Sequence, residues 1–244
     1  MTAPDGAATS KELVLRDVVA FYGAAQALAG VTLTVAAGEA VGIVGLNGAG
    51  KSTLMRSISG LQRRVSGTIE YGGRSLMGLK PDVVAGRGIN FVRDGAHVFQ
   101  GLTIREHLAL AARAARVRNH PAPTVDEVID LFPVLKNRGV NSKAGYLSGG
   151  QRQALGLAMA MGGGATCILL DEPSAGLAQS TAEEIFANIR RFADQGISLL
   201  IAEQDIRWLR GLADRIVELE MGRIIGTVAE RQPAERQPAP PAPS

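Results

Sequence analysis

Cysteine is all but missing from this chain: Cys167 stands alone among 244 residues, so no disulfide framework within the chain can hold the fold. Its setting, Cys167-Ile168-Leu169-Leu170, reads as a small buried apolar residue and fits a reducing compartment. Histidine is scarce too. His97, His107 and His120 share no metal-ligand spacing and are expected at the surface or at an interface. Nowhere do about 18 consecutive apolar residues occur, the length a membrane-crossing helix needs, so any membrane role is expected through docking. Residues 1–10 lack the basic and then apolar order of a secretory signal and are expected to form a loose tail. Charge is not one-sided either: 26 basic and 23 acidic residues leave a net +3, dispersed along the chain, which gives no basic stripe for nucleic acid.

What is present is a hydrophobic share of 46% beside 20% charged residues, enough for one domain with a subdomain. Short apolar or β-branched runs predict strands at 12–19, 31–36, 40–44, 68–71, 89–92, 166–170, 197–201 and 215–219. Several are apolar throughout, as in a largely parallel sheet covered on both faces. A helix is expected from Lys51. Four more helix starts are marked by a Ser or Thr followed three residues later by Glu or Gln: Thr103/Glu106, Thr124/Glu127, Ser148/Gln151 and Ser180/Glu183. Ile104, Leu108, Ala111, Ala112 and Ala115 then form one apolar face, and Ala182, Ile185, Phe186, Ile189 and Phe192 another, both read as core, as is Trp208. The helical stretch of about 95–161 thus reads as a subdomain inserted into an α/β domain spanning 11–229. From 230 to 244 a Pro-rich segment, with Ala-Glu-Arg-Gln-Pro occurring twice, is expected to be disordered.

Gly45-Leu46-Asn47-Gly48-Ala49-Gly50-Lys51-Ser52 fits G-x-x-x-x-G-K-[ST], after an apolar strand and before a helix, the context of a P-loop. Its glycines allow backbone N–H groups to turn towards phosphate, and the helix behind, from Lys51 through Ser52 and Thr53, adds its positive end. Lys51 would contact the β and γ phosphates of ATP, and Ser52 would ligate Mg²⁺. The run 166–170 ends in Asp171-Glu172, as a magnesium-nucleotide site requires: Asp171 for the metal's shell, Glu172 for the attacking water.

Leu147-Ser148-Gly149-Gly150-Gln151 opens a helix capped by its own Ser148, with hydroxyl and N–H groups available to an anion. On these three motifs together the chain resembles the ATP-binding cassette (ABC) ATPases over roughly residues 13–228. The resemblance implies an α/β P-loop cassette with a mainly parallel central sheet, an antiparallel β subdomain and an inserted helical subdomain. It implies a head-to-tail dimer in which Ser148, Gly149, Gly150 and Gln151 close on the γ-phosphate held by the other subunit's P-loop. It also places Tyr22, before Gly23, where an aromatic stacks on adenine.

Departures from the family pattern narrow the resemblance. Asp94 stands where the Q-loop glutamine is usual, Gln204 replaces the switch histidine, and Ala178 replaces the Asp that ends the loop after Asp171-Glu172-Pro173. An acid before Gly95, Glu203-Gln204 and Gly176-Leu177-Ala178 resemble one of the two paralogous ATPases of branched-chain amino-acid importers. That likeness implies permease subunits, an identical or paralogous ATPase partner, an extracytoplasmic binding protein acting indirectly, and a place on the cytoplasmic face of the inner membrane. Asp94 would approach metal or water, and Gln204 would contact phosphate without the charge of a histidinium. Arg93, Met159 and Gly162-Gly163-Gly164 also depart, the last expected to weaken the turn before the 166–170 strand. Cargo stays open among amino acids, urea, amides and aromatic acids. A regulatory, non-hydrolysing cassette is a further alternative, and a cassette acting on DNA or ribosomes would bring coiled-coil insertions or basic linkers.

Overall fold

A computed structural model of the chain describes residues 11–93 and 98–230. Two sheets share the chain. β1 (Leu13–Tyr22), β2 (Ala25–Val35), β4 (Val65–Tyr71) and β5 (Arg74–Ser75) form an antiparallel sheet ordered β2-β1-β4-β5. The second is ordered β10-β9-β3-β8-β7-β6. In it β3 (Ala40–Val44), β6 (Ile89–Val92), β7 (Cys167–Asp171), β8 (Ser198–Glu203) and β9 (Arg215–Glu220) are parallel neighbours, and β10 (Arg223–Glu230) runs antiparallel at one edge.

The central strands read as apolar runs because each face of the sheet is covered. On β7, Ile168 and Leu170 enter a core formed with helices, while Cys167 and Leu169 enter a second core against the antiparallel sheet. On β8, Leu199 and Ile201 alternate in the same way with Leu200 and Ala202. Burial pushes the Cys167 thiol up to about 12, which makes it a packing residue rather than a nucleophile.

Between the sheets lies α1 (Lys51–Ile58), burying Leu54, Met55 and Ile58 in the second core. α2 (Pro81–Ala85) starts with proline, whose missing N–H costs nothing in a first turn. Then α3 (Ile104–Val117), α4 (Val125–Leu131), α5 (Pro133–Arg138) and α6 (Gly149–Gly162) pack on one another between β6 and β7 in sequence. α7 (Gln179–Asp194) leans on α6, and α8 (Ile206–Leu209) on β8.

Three of the four anticipated helix starts carry complete capping boxes, at Thr103/Glu106, Thr124/Glu127 and Ser148/Gln151. The fourth does not. α7 begins one residue before Ser180, with Ala178 as N-cap, so the Ser180 hydroxyl is already inside the helix and Glu183 accepts instead from the Gln179 side chain at 3.0 Å. The two apolar faces are buried as anticipated, except that Ala112 is only half-buried.

Other expectations need correction. His107 is fully buried, not at the surface: its Nε2 accepts from Phe99 N–H at 2.9 Å and its Nδ1 lies 2.8 Å from the Thr103 carbonyl, so Nδ1–H donates there. His120 is half-buried, and His97 lies outside the described residues. Trp208 is half-buried, stacked on Phe186 with 5.1 Å between centroids. Of the glycine triplet only Gly162 is helical; Gly163 caps α6 and Gly164 has φ 70°, so the weakening expected of three helical glycines does not apply. β10 reaches Glu230, paired with Arg215, one residue into the anticipated tail.

Candidate functional site

The phosphate loop is shaped by what surrounds it. β3 delivers the chain at Val44, and α1 begins at Lys51 with Gly50 as N-cap at φ 112°. A side chain there would be strained, and its Cβ would come within 2.8 Å of the Ala27 carbonyl on β2. Asn47 and Gly48 are exposed at the turn, Ala49 is buried, and Thr53 faces inward. Lys51 is only 4% exposed. Its Nζ donates to the Gly45 carbonyl at 2.6 Å and the Leu46 carbonyl at 3.2 Å, and pairs with Glu172 Oε1 at 3.2 Å. The ammonium is therefore fixed across the loop opening.

Asp171 ends β7 beside this loop and is 5% exposed. Burial raises its carboxyl above the ordinary range, the Ser52 hydrogen bond opposes that, and the neighbouring Glu172 charge adds to it. Ser52 Oγ donates to Asp171 Oδ1 at 3.0 Å. Two hard oxygen donors side by side suit a magnesium ion that takes its other ligands from phosphate and water. Among the described residues no group of three or more His, Cys, Asp or Glu gathers as a metal cage. Asp94 lies outside the described residues.

Glu172 has φ 48°, a left-handed conformation uncommon for a residue with a side chain. Three successive residues of β8 and its end hold it and the turn that follows. The Ala202 carbonyl accepts Glu172 N–H at 2.9 Å, Glu203 Oε1 accepts Ser174 N–H at 2.9 Å, and Gln204 Nε2 donates to Glu172 Oε2 at 3.0 Å. Lys51, Ser52, Asp171, Glu172 and Gln204, distant in sequence, are thus brought to one point. Glu203 belongs to this group; from sequence it enters only within the Glu203-Gln204 pattern and with no role, although an acid ending the otherwise apolar run Leu199–Ala202 is a signal for one.

Tyr22 is 44% exposed at the end of β1, and its hydroxyl accepts from Arg56 Nη1 on α1 at 2.9 Å. Arg56 therefore ties the proposed adenine platform to the P-loop helix, a link that nothing in the sequence pattern marks. Beneath it, Arg64 lies over the Phe21 ring at 5.1 Å and donates to the Gly23 carbonyl.

Ser148, Gly149, Gly150 and Gln151 are elsewhere, at the start of α6. Ser148 Oγ accepts Gln151 N–H at 3.3 Å and Gln151 Oε1 accepts Ser148 N–H at 3.0 Å. Ser148 and Gly149 are exposed, whereas Gly150 is buried so tightly that a Cβ would lie 2.1 Å from Thr181 Cγ2 on α7. α6, which this helix start opens, packs on α3, α4, α5, α7 and β6, whereas α1, which Lys51 opens, packs on β2 and β7.

A P-loop between two sheets, an acid pair at the end of β7, one strand removed from β3 in the same sheet, and a capped Ser-Gly-Gly-Gln helix define a nucleotide-hydrolysing cassette. Residues 28–175 match the ABC transporter family, and the chain belongs to that family of ATP-binding, ATP-hydrolysing cassettes. Among curated proteins it is 38% identical over 208 residues to the high-affinity branched-chain amino acid transport ATP-binding protein BraG of Pseudomonas aeruginosa, covering 85% of this chain and 88% of that one. It is 32% identical to the methionine import ATP-binding protein MetN of Brucella abortus, of which it covers 60%, using 89% of its own length. Among solved structures, a dimeric post-hydrolysis ATP-binding cassette bound to ADP and Pi is similar with TM-score 0.78 and 26% identity, over 90% of this chain and 99% of that one.

Proposed function

We propose that this chain is the ATP-hydrolysing subunit of an importer for branched-chain or other hydrophobic amino acids. One observation carries the hydrolytic part: Lys51, Ser52, Asp171, Glu172 and Gln204 converge, with the Lys51–Glu172 pair at 3.2 Å and the Ser52–Asp171 bond at 3.0 Å. The 38% identity to BraG over 88% of its length supports the cargo. Import proteins for methionine and for xylose and arabinose are 32% and 33% identical to this chain, so the cassette is shared by importers of different cargo.

In this reading the adenine stacks on Tyr22, and the loop 45–53 wraps the phosphates with backbone N–H groups and the Lys51 ammonium. Ser52 and Asp171 would hold Mg²⁺, which supplies charge neutralisation at the β and γ phosphates. Glu172 orients the attacking water and accepts its proton, and Gln204 donates a neutral hydrogen bond beside it. Asp94 is assigned to the same metal or water by the family pattern. In the head-to-tail dimer of the family pattern the second phosphate contact comes from another subunit's Ser148–Gln151 helix start, so an identical or paralogous cassette completes the site.

No helix among the described residues is long and apolar enough to cross a membrane, so coupling to transport falls to docking on permease subunits. A cavity of about 420 Å³ between β6, α3 and α6, lined by Phe91, Arg93, Val98, Ala111 and Met159, is the surface we assign to a permease loop. It lies beside the segment that links β6, and hence β7 and Asp171, to the helical subdomain, read here as about 95–161 of a domain spanning 11–229. We further propose that the chain works on the cytoplasmic face of the inner membrane, with an extracytoplasmic binding protein reached only through the permease.

The test is magnesium-dependent ATP hydrolysis by the purified chain, alone and with its candidate ATPase and permease partners. Glu172→Gln is expected to keep ATP binding and to lower turnover by about 10²–10⁴-fold, the usual contribution of a positioned general base. Full activity in that variant rejects the role given to Glu172.

A further inference from the structure

Glu203 is a carboxylate where the fold has no need of one. It ends β8 behind Ser198–Ala202, all buried, and is itself 2% exposed. Among the described residues it makes no ion pair. Burial raises its carboxyl above the ordinary range, hydrogen bonds from Ser174 and the Gln204 N–H oppose that, and the Glu172 charge adds to it. An isolated buried acid is costly to fold around, and an apolar residue of similar size is the more stable choice at such a position. Its retention calls for a task.

The geometry supplies one. Glu203 Oε1 accepts Ser174 N–H at 2.9 Å, and its Oε2 lies 3.3 Å from the N–H of Gln204. One carboxylate thus bridges the turn after Glu172 and the residue whose amide holds the Glu172 side chain at 3.0 Å. Glu172 itself sits at φ 48°, and a residue held in a sparsely populated conformation persists only where its surroundings over-determine it. Its own N–H bond to Ala202, at 2.9 Å, is one restraint; the Ser174 bond fixes the other end of the same turn.

We propose that Glu203 is a positioning residue for hydrolysis: it clamps Ser174 and Gln204 together so that the Glu172 carboxylate stays aimed at the phosphate loop. The inference rests on the role given above to Glu172 and adds to it a third side chain that touches neither nucleotide nor water.

Three variants test it in whichever assembly the unsubstituted chain turns over. Glu203→Ala is expected to lower kcat at least tenfold, with KM for ATP and the binding of ATP unchanged within twofold. Glu203→Gln keeps a carbonyl acceptor for Ser174 N–H but turns an NH2 donor to the Gln204 N–H, and is expected to recover kcat only in part, to a value between Glu203→Ala and the unsubstituted chain. Amide hydrogen exchange over 172–177 follows the same pattern in the free chain, faster in Glu203→Ala and intermediate in Glu203→Gln, which keeps the test open if either assembly is weakly active. An unchanged kcat or unchanged exchange in Glu203→Ala overturns the proposal, as does a parallel loss of nucleotide binding, which marks a general structural role. Glu172→Gln separates the two ideas. If it stays active, the Glu172 reading fails; if it is inactive while Glu203→Ala is fully active, only the clamp fails.

Discussion

The two anion-binding elements of this chain are built in opposite ways. Around Lys51 the charged groups are buried or half-buried and answer one another: ammonium to carbonyls and Glu172, hydroxyl to Asp171, amide to Glu172. At the start of α6 the side-chain bonds are those of a capping box and of Arg152 to the Leu147 carbonyl at 2.6 Å, and Ser148 and Gly149 face outward. The first is the cluster we assign to catalysis, with Lys51 and Asp171 held where water is scarce and each electrostatic contact counts for more, and with Gln204 facing solvent. The second is a surface, with helix N–H groups offered to something the chain does not supply. Such a division is what a cassette working as one of two copies requires, each giving its Lys51 cluster to one nucleotide and its helix start to the other.

If that contrast is right, substitutions on the two sides should fail differently. Lys51→Ala removes the buried charge aimed at phosphate, and a charged hydrogen bond is worth about 1.5–3 kcal/mol, so ATP affinity is expected to fall roughly 10- to 150-fold. Folding should hold, because the substitution also removes a buried charge; titration of the chain with a fluorescent ATP analogue measures the effect, and an unchanged Kd counts against the phosphate assignment. On the other side Gly150→Ala should leave the Kd of the isolated chain alone and act on stability. Its Cβ would meet Thr181 Cγ2 at 2.1 Å, and overpacking of this kind costs about 1–3 kcal/mol. Pairing it with Thr181→Ser, which removes the obstructing methyl, should recover most of the loss in a urea melt; failure to recover would place the strain elsewhere.

The Lys51 side was also the more legible one. Gly45–Ser52 and Asp171-Glu172 each stand as short contiguous runs at strand ends, so spacing alone carried them to the right place. Glu203 and Arg56 act across the fold, through contacts to Ser174 and Tyr22 that no local pattern encodes. The same distinction runs through the scaffold. Apolar runs announced β3, β7 and β8, which are covered on both faces, whereas β10 lies at an edge with mostly exposed residues and has no periodicity to read. His107 shows the limit from the other direction: three residues after Ile104 and four before Ala111, it falls on the apolar face of α3, but nothing local reveals that Phe99 N–H meets it there.

The anticipated cap at Ser180 is instructive because it failed by a single turn of logic. A Ser/Glu pair three residues apart satisfies the pattern, yet the helix starts earlier, and the residue in the N-cap position, Ala178, has no side-chain acceptor to offer. This is also the position at which the family pattern has an Asp. The loop 174–178 joins the Glu172 turn to α7, and α7 backs the exposed start of α6 through Thr181, so the missing cap lies where the two sides of the molecule meet. Ala178→Asp places an acceptor over the free N–H groups of the first turn and a negative charge at the positive end of the helix. It is expected to stabilise the chain by about 1 kcal/mol, the smallest of these effects, read as a raised urea midpoint with an unchanged slope. If stability rises while turnover in the assembled transporter falls, the uncapped start is needed for motion between the two sides; if both rise or hold, the cap is simply absent and the two sides work independently of it.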